Sequence, residues 1–232
     1  MTSKATYYLT PNAASTAFTG TGYTPDGTIP AGAIPCTQEQ AQNFQAYVPS
    51  NGEIVAAPSS VLLAQAQSAQ TFLVTQGYNT ATDYVPVTIN GTTYQVDNTA
   101  GKQALNLSLA ITANAMMQSP VWAADTEYAA GAYCSVGGVI LFCSTAGKSG
   151  TSAPTPPTAF GTPVTDGTAA WELLGRKVYL QGGSFVYMTP QQIMSAFQQG
   201  ELYLHQMSDQ LELLKVEIMA ATTVTEVQTY TF

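Results

Sequence analysis

Between Pro58 and Gly77 the apolar positions Leu62, Ala66, Ala69 and Leu73 are separated by steps of four, three and four, the spacing of one face of an α-helix. Ser59 and Ser60 are candidate caps and Gly77 a candidate stop, so the pattern predicts a helix over 59–77. Two runs rich in β-branched residues, 84–89 and 92–96, then flank Asn90-Gly91, the dipeptide that best tolerates the positive φ angles of a type I′ hairpin. A second helical stripe follows at Leu105, Leu109, Thr112 and Met116, ending before Pro120. A second hairpin pattern, 178–180 and 184–188, surrounds Gly182-Gly183. Thr189-Pro190-Gln191-Gln192 opens the longest helix, with Thr189 as cap, Pro190 at the first helical position and Gln192 closing a capping box. Along it Ile193, Phe197, Gly200, Leu204, Met207, Leu211, Leu214 and Ile218 form a heptad seam that spans ~40 Å at ~1.5 Å per residue. Residues 222–232, with Val224, Val227 and Tyr230 among threonines, predict an extended end.

The remaining stretches carry turn chemistry. Residues 1–58 read as short strands around Thr24-Pro25-Asp26-Gly27 and Pro30, Pro35, Pro49 and Pro58. One short helix interrupts them, with Thr37 as cap, Gln40 as its reciprocal partner, and Ala41, Phe44 and Val48 on one face. From Val121 to Gly175, Gly131, Gly137-Gly138, Gly147, Gly150 and the prolines at 154, 156 and 157 cut the chain into pieces too short for helices. The expected fold is therefore α+β, in three parts. These are a β-rich N-terminal unit (1–58), a helix and hairpin domain ending in the long helix (59–120 with 176–232), and an inserted all-β module (121–175).

Charge narrows the function. Only 9% of the 232 residues are charged, against roughly 25% in typical soluble proteins, and the net charge is -8. Six cations, of which only Arg176 and Lys177 are adjacent, make no patch for a phosphate backbone, so no nucleic acid is expected. No run approaches the ~18 apolar residues of a membrane span, and the first twenty residues hold no apolar stretch of a secretory signal. Synthesis in a cytoplasm and no membrane insertion are the expectation. Three cysteines are too few for a disulfide scaffold.

Catalytic arrangements are hard to find. His205 adjoins the seam position Leu204, and no Cys or Ser stands where it would serve as a nucleophile's base. Glu201, Asp209, Glu212 and Glu217 fall mainly off the seam, as a solvated face does. A two-residue turn at Gly137-Gly138 faces Cys134 to Leu141 and is expected to send the Cys134 and Cys143 sulfurs to opposite faces. A four-residue turn over 137–140 instead sets them opposite one another, where a bridge is possible. No His or Cys cluster completes a zinc set around them. Gly147-Lys148-Ser149 ends like a phosphate-binding loop but lacks the earlier glycine and is read as a surface loop. No catalytic residue, metal or cofactor is assigned, and the chain is not expected to be an enzyme. The aromatic set Trp122, Tyr128, Tyr133, Phe142 and Trp171 has two readings, as the core of a small module or as rings for stacking on a sugar, with Trp122, Tyr128, Tyr133 and Trp171 as the candidate contacts.

The run from Val121-Trp122-Ala123-Ala124-Asp125-Thr126-Glu127-Tyr128 through Gly131, Phe142-Cys143, Gly150-Thr151-Ser152-Ala153-Pro154 and Asp166-Gly167-Thr168 to Trp171-Glu172 resembles the small chitin-binding-like β modules of bacteriophage tail proteins. It covers about a quarter of the chain. The flanks, with Val87-Thr88-Ile89-Asn90-Gly91-Thr92-Thr93-Tyr94 and the helix opening at Thr189, look like a phage tail-associated domain. The stretch from Ala17-Phe18 to Ile34, with Thr37-Gln38-Glu39-Gln40 and Gly52-Glu53-Ile54, is similar to the start of tail-fibre assembly proteins.

These resemblances imply a structural component of a phage tail, in the fibre or baseplate, located in the virion tail and touching host-surface polysaccharide. The alternative is a tail-fibre assembly chaperone, and a remote one is an accessory to a cell-wall hydrolase. Partners would be other tail proteins and further copies of this chain. The mixed β-branched and Leu seam admits a trimer, or packs only on the helices at 59–77 and 99–118 of the same chain.

Overall fold

A computed structural model describes residues 5–232 and shows an α+β fold. In chain order it holds β1 (Thr6–Pro11), β2 (Phe18–Thr24), β3 (Ile34–Cys36), α1 (Gln38–Gln42), β4 (Tyr47–Ser50), β5 (Glu53–Ala56), α2 (Ser59–Thr82), β6 (Tyr84–Ile89), β7 (Thr92–Asp97) and α3 (Ala100–Met117). There follow β8 (Glu127–Tyr128), β9 (Tyr133–Val136), β10 (Val139–Thr145), β11 (Gly147–Lys148), β12 (Val164–Asp166), β13 (Ala169–Leu173), β14 (Arg176–Tyr179), β15 (Phe185–Met188), α4 (Pro190–Ala220) and α5 (Val224–Val227). Contacts divide the chain into two compact units. One takes the residues up to Val74 with Leu214–Phe232, the other Thr75–Leu213.

In the first unit β1 is the centre of a three-stranded antiparallel sheet, β2-β1-β3, with Leu9 fully buried. The α1 cap forms as the sequence requires: Gln40 N donates to Thr37 Oγ1 at 3.1 Å and Thr37 N to Gln40 Oε1 at 2.9 Å. The helix stops at Gln42, however, so Val48 lies on β4 instead of the helix face. Of the expected stripe on α2, Leu62 and Ala66 are half-buried, but Ala69 is exposed and Leu73 57% exposed while its neighbour Val74 is 1% exposed, so the buried face is rotated. Polar residues on the inner face account for the rotation. The Gln67 amide donates to the carbonyls of Met219 and Ala221 at 3.2 Å each, and the Gln70 amide to that of Tyr230 at 2.5 Å. These bonds also gather residues 59–74 with the chain's end. The end is not extended as expected: Thr223 Oγ1 caps α5 by accepting from Glu226 N, and Glu226 accepts from Thr222 N.

In the second unit, Asn90 (φ 51°) and Gly91 (φ 79°) close the β6–β7 hairpin, and Gly182 and Gly183, both at positive φ, close β14–β15. Both hairpins bury their β-branched side against α3 and α4, in a core of Val85, Val87, Ile89, Val96, Ala113, Val178, Met188, Ile193 and Ala196. The helix α2 runs past Gly77 to Thr82, because its last carbonyls find tertiary partners. Tyr203 Oη donates to Ala81 O at 3.0 Å, Asn98 Nδ2 to Thr82 O at 3.1 Å and Asn98 N to Asp83 O at 2.8 Å. Gln199 of α4 holds the outer hairpin by accepting from Thr88 N and donating to Thr88 O.

Residues 121–175 form antiparallel sheets of their own, a four-stranded one in the order β12-β13-β10-β9 and the ribbon β11-β8. One face of the larger sheet carries Cys134, Leu141, Cys143, Ala169 and Trp171. The other places Ile140 and Leu174 against Met116 of α3, with Tyr133 and Phe142 alongside.

Candidate functional site

Two of the four aromatic residues proposed for sugar contact, Trp122 and Trp171, converge on one carboxylate, and a third, Tyr128, packs on Trp171. Asp166, at the tip of β12 and 5% exposed, accepts through Oδ2 from the indole Nε1 of Trp122 at 2.7 Å and of Trp171 at 2.9 Å, and through Oδ1 from Gly150 N at 2.7 Å. Gly167 at φ 65° makes the tight turn that aims it inward. Trp171 is fully buried and has no face left for a ligand, which corrects its assignment as a sugar contact. Tyr128 stands edge-on to Trp171 with ring centroids 4.8 Å apart, and its oxygen accepts from Ala123 N at 2.9 Å. Trp122 is half-buried against the same core.

The Gly147-Lys148-Ser149 segment belongs to this framework and is not a free surface loop. Gly147 and Lys148 pair with β8, and the Ser149 hydroxyl is buried, accepting from Thr126 N and donating to Ala123 O. Lys148 forms an exposed ion pair with Asp125 at 3.2 Å.

The cysteines require a second correction. The β9–β10 turn has two residues, with Val136 opposite Val139 and Cys134 opposite Leu141. Positions two apart on a strand share a face, so Cys143 shares that of Leu141 and hence that of Cys134. Both thiols lie on the buried face, unbridged. Burial first, then the neighbouring Cys143 and Asp166, push the Cys134 thiol up to about 12, and burial raises Cys143 as well. Protonated thiols are poor nucleophiles and poor metal ligands, and among the described residues no group of three or more His, Cys, Asp or Glu is placed to hold a metal ion.

Tyr133, the fourth candidate, points to the opposite face. The register sets Tyr133 beside Phe142 and Phe142 beside Glu172, one transverse row across β9, β10 and β13. That row floors a cleft of about 430 Å³ whose other side is Phe160, Arg176 and Tyr187. Ring centroids are 6.0 Å apart for Tyr133 and Phe142 and 5.7 Å for Phe160 and Tyr187. Phe160 lies over Gly175, where a Cβ would collide with the ring. Sequence spacing could not find this site, because Phe160 comes from a loop and Tyr187 from the second hairpin; alternation within β10 would have separated Phe142 from Cys143.

A second cavity, of about 470 Å³, opens between the β6–β7 hairpin, α3 and α4, with Val85, Leu109, Phe197 and Leu204 on its walls and Asn79, Asn98 and Gln103 among its polar residues. The heptad seam faces the protein's own interior: Ile193, Leu211 and Ile218 are buried, and Phe197, Gly200, Leu204, Met207 and Leu214 half-buried. The close neighbour that Gly200 admits is Val85 of the same chain. His205 is exposed. No family model, characterised protein or solved structure matches the chain.

Proposed function

We propose that the chain is a structural component of a bacteriophage tail that works by assembling with other subunits. The observation that carries this reading is the exposed apolar surface of its helices. Phe72 and Leu73 on α2, Leu107 and Ile111 on α3, and Leu202, Leu213, Val216 and Met219 on α4 are each more than half exposed. A solvated helix is normally polar on its outer face, and large apolar side chains exposed at more than one position of each helix suit it to binding further protein. With the seam turned inward, these outer faces are the surfaces available to further copies or to neighbouring tail proteins. The low charge of the chain and the resemblance of residues 121–175 to phage tail modules support the same reading.

The test has two parts. Sedimentation of the purified protein at micromolar concentration is expected to show an oligomer, a trimer being one closed form, that the exposed-site variant Leu213→Lys weakens without loss of helical signal. Mass spectrometry of purified virions is expected to find the chain at stoichiometric copy number. Absence from the virion, with binding to a fibre subunit during assembly, would replace this reading by that of a chaperone.

A further inference from the structure

We propose that the cleft between the β9-β10-β13 row and the β14–β15 hairpin binds a neutral oligosaccharide. The proposal concerns this site alone and does not depend on the position of the chain in a tail. It moves the expected sugar contact from Trp122 and Trp171, which are engaged by Asp166, to the opposite face of the sheet.

The rings come first. Phe160 and Tyr187 are 37% and 43% exposed, and the Tyr133–Phe142 pair is half-buried. The rings of each pair are tilted, by 40° for Phe160 and Tyr187 and by 45° for Tyr133 and Phe142, and together they give the cleft an aromatic wall suited to the C–H face of a pyranose ring. A cleft of about 430 Å³ is in the size range of small-molecule sites, which combine apolar walls with a few convergent polar groups.

The polar groups then choose the ligand. Glu172 and Arg176 both line the cleft, and among the described residues neither makes an ion pair or a side-chain hydrogen bond. A carboxylate only accepts and a guanidinium only donates. A hydroxyl does both, so neighbouring hydroxyls of one sugar satisfy the two groups together. An apolar peptide would leave both charges desolvated without partners, and a strongly charged ligand would meet one group of its own sign. The two lining charges sum to zero, with Lys177 Nζ held over the neighbouring Phe185 ring 5.9 Å from the Tyr187 centroid, and their balance favours a neutral, hydroxyl-rich molecule.

The experiment is binding of the full chain to an array of neutral and acidic oligosaccharides, followed by calorimetric titration with the neutral hexasaccharide that binds best. Tyr187→Ala and Phe160→Ala are each expected to weaken binding at least tenfold. Gly175→Ala, which displaces the Phe160 ring, should weaken it by a similar factor, whereas Tyr23→Ala, an exposed ring of the other unit, should leave it unchanged. Melting curves of the variants check that the fold is retained, and Glu172→Gln provides a substitution of the same shape that keeps one acceptor and should cost less than tenfold. Binding that survives both ring deletions in folded protein, binding of acidic oligosaccharides alone, or no binding of any neutral oligosaccharide at millimolar concentration would each overturn the proposal. Capture of a tail protein through these rings, without sugar binding, would assign the cleft to assembly instead.

Discussion

The indole N–H of Trp171 lies 2.9 Å from Asp166 Oδ2, inside a module where the ring is fully buried and the carboxylate nearly so. Desolvating a carboxylate is costly, and here the cost is offset by three hydrogen bonds to the charged group, from Trp171, Trp122 and Gly150. Asp166→Asn keeps the shape but turns one acceptor into a donor, so either the indoles or Gly150 N must face an N–H. The expected loss is about 2 kcal/mol, read from denaturant unfolding followed by tryptophan fluorescence. An unchanged midpoint would show that the carboxylate is not holding the two indoles.

Alkaline stability should follow the buried thiols. The folded Cys134 thiol is held near 12, above its ordinary 9.0, so between these values the unfolded chain releases a proton that the folded one keeps. The fully protonated condition below pH 9 is therefore the stable one, and stability falls as pH rises towards 12, at up to about 1.4 kcal/mol per pH unit for this group. Cys134→Ala should flatten that decline. In the native protein at pH 8 a thiol reagent is expected to reach the half-buried Cys36 before the two buried cysteines; rapid labelling of Cys134 would contradict its burial.

Two glycines should respond in opposite directions. Gly167 sits at φ 65°, and a Cβ there would press on backbone of Lys148, Ser149 and Gly150. Gly167→Ala is expected to cost about 2–5 kcal/mol from left-handed strain and overpacking together. Gly101, in the first turn of α3 with open space around it, should gain about 0.5–1 kcal/mol on replacement by Ala. Equal effects at the two positions, in thermal or denaturant melts, would rule out this account of the turn.

Excision of the module tests whether it is separable. Every buried residue of the hairpin and helix core, from Val85 to Ala196, lies outside 121–175. Of α3, Met116 is the residue buried against the module, on Ile140 and Leu174. Replacing 121–175 by a short Gly/Ser linker should therefore retain the helical circular-dichroism signal and cost about 1–3 kcal/mol, chiefly the burial of the Met116 side chain together with the Phe160 ring contact on Tyr187. Insolubility or loss of that signal would show that the module is needed to fold the rest.

What the sequence by itself determined was local. Asn90-Gly91 specifies its hairpin because few other dipeptides accept two positive φ angles, and Thr37 with Gln40 specifies the start of α1 because the cap closes within four residues. The same logic was available at Thr223 and Glu226, where the capping pattern of α5 outweighs the alternating look of the chain's end. Tertiary structure decided what depends on distant partners. The helix α2 outlasts Gly77 because Asn98 and Tyr203 supply donors to its last carbonyls, and its buried face turns towards Gln67 and Gln70 because their amides find carbonyls some 150 residues away. The two tryptophans were legible as a module core or as sugar platforms. Only a carboxylate brought beside both indoles by the Gly167 turn assigned Trp171 to the interior and tied the half-buried Trp122 to it, and only strand register placed Tyr133, Phe142 and Glu172 in one row. A pattern along the chain records which side chains are apolar; the partner each one meets is fixed by the free energy of the whole packed arrangement.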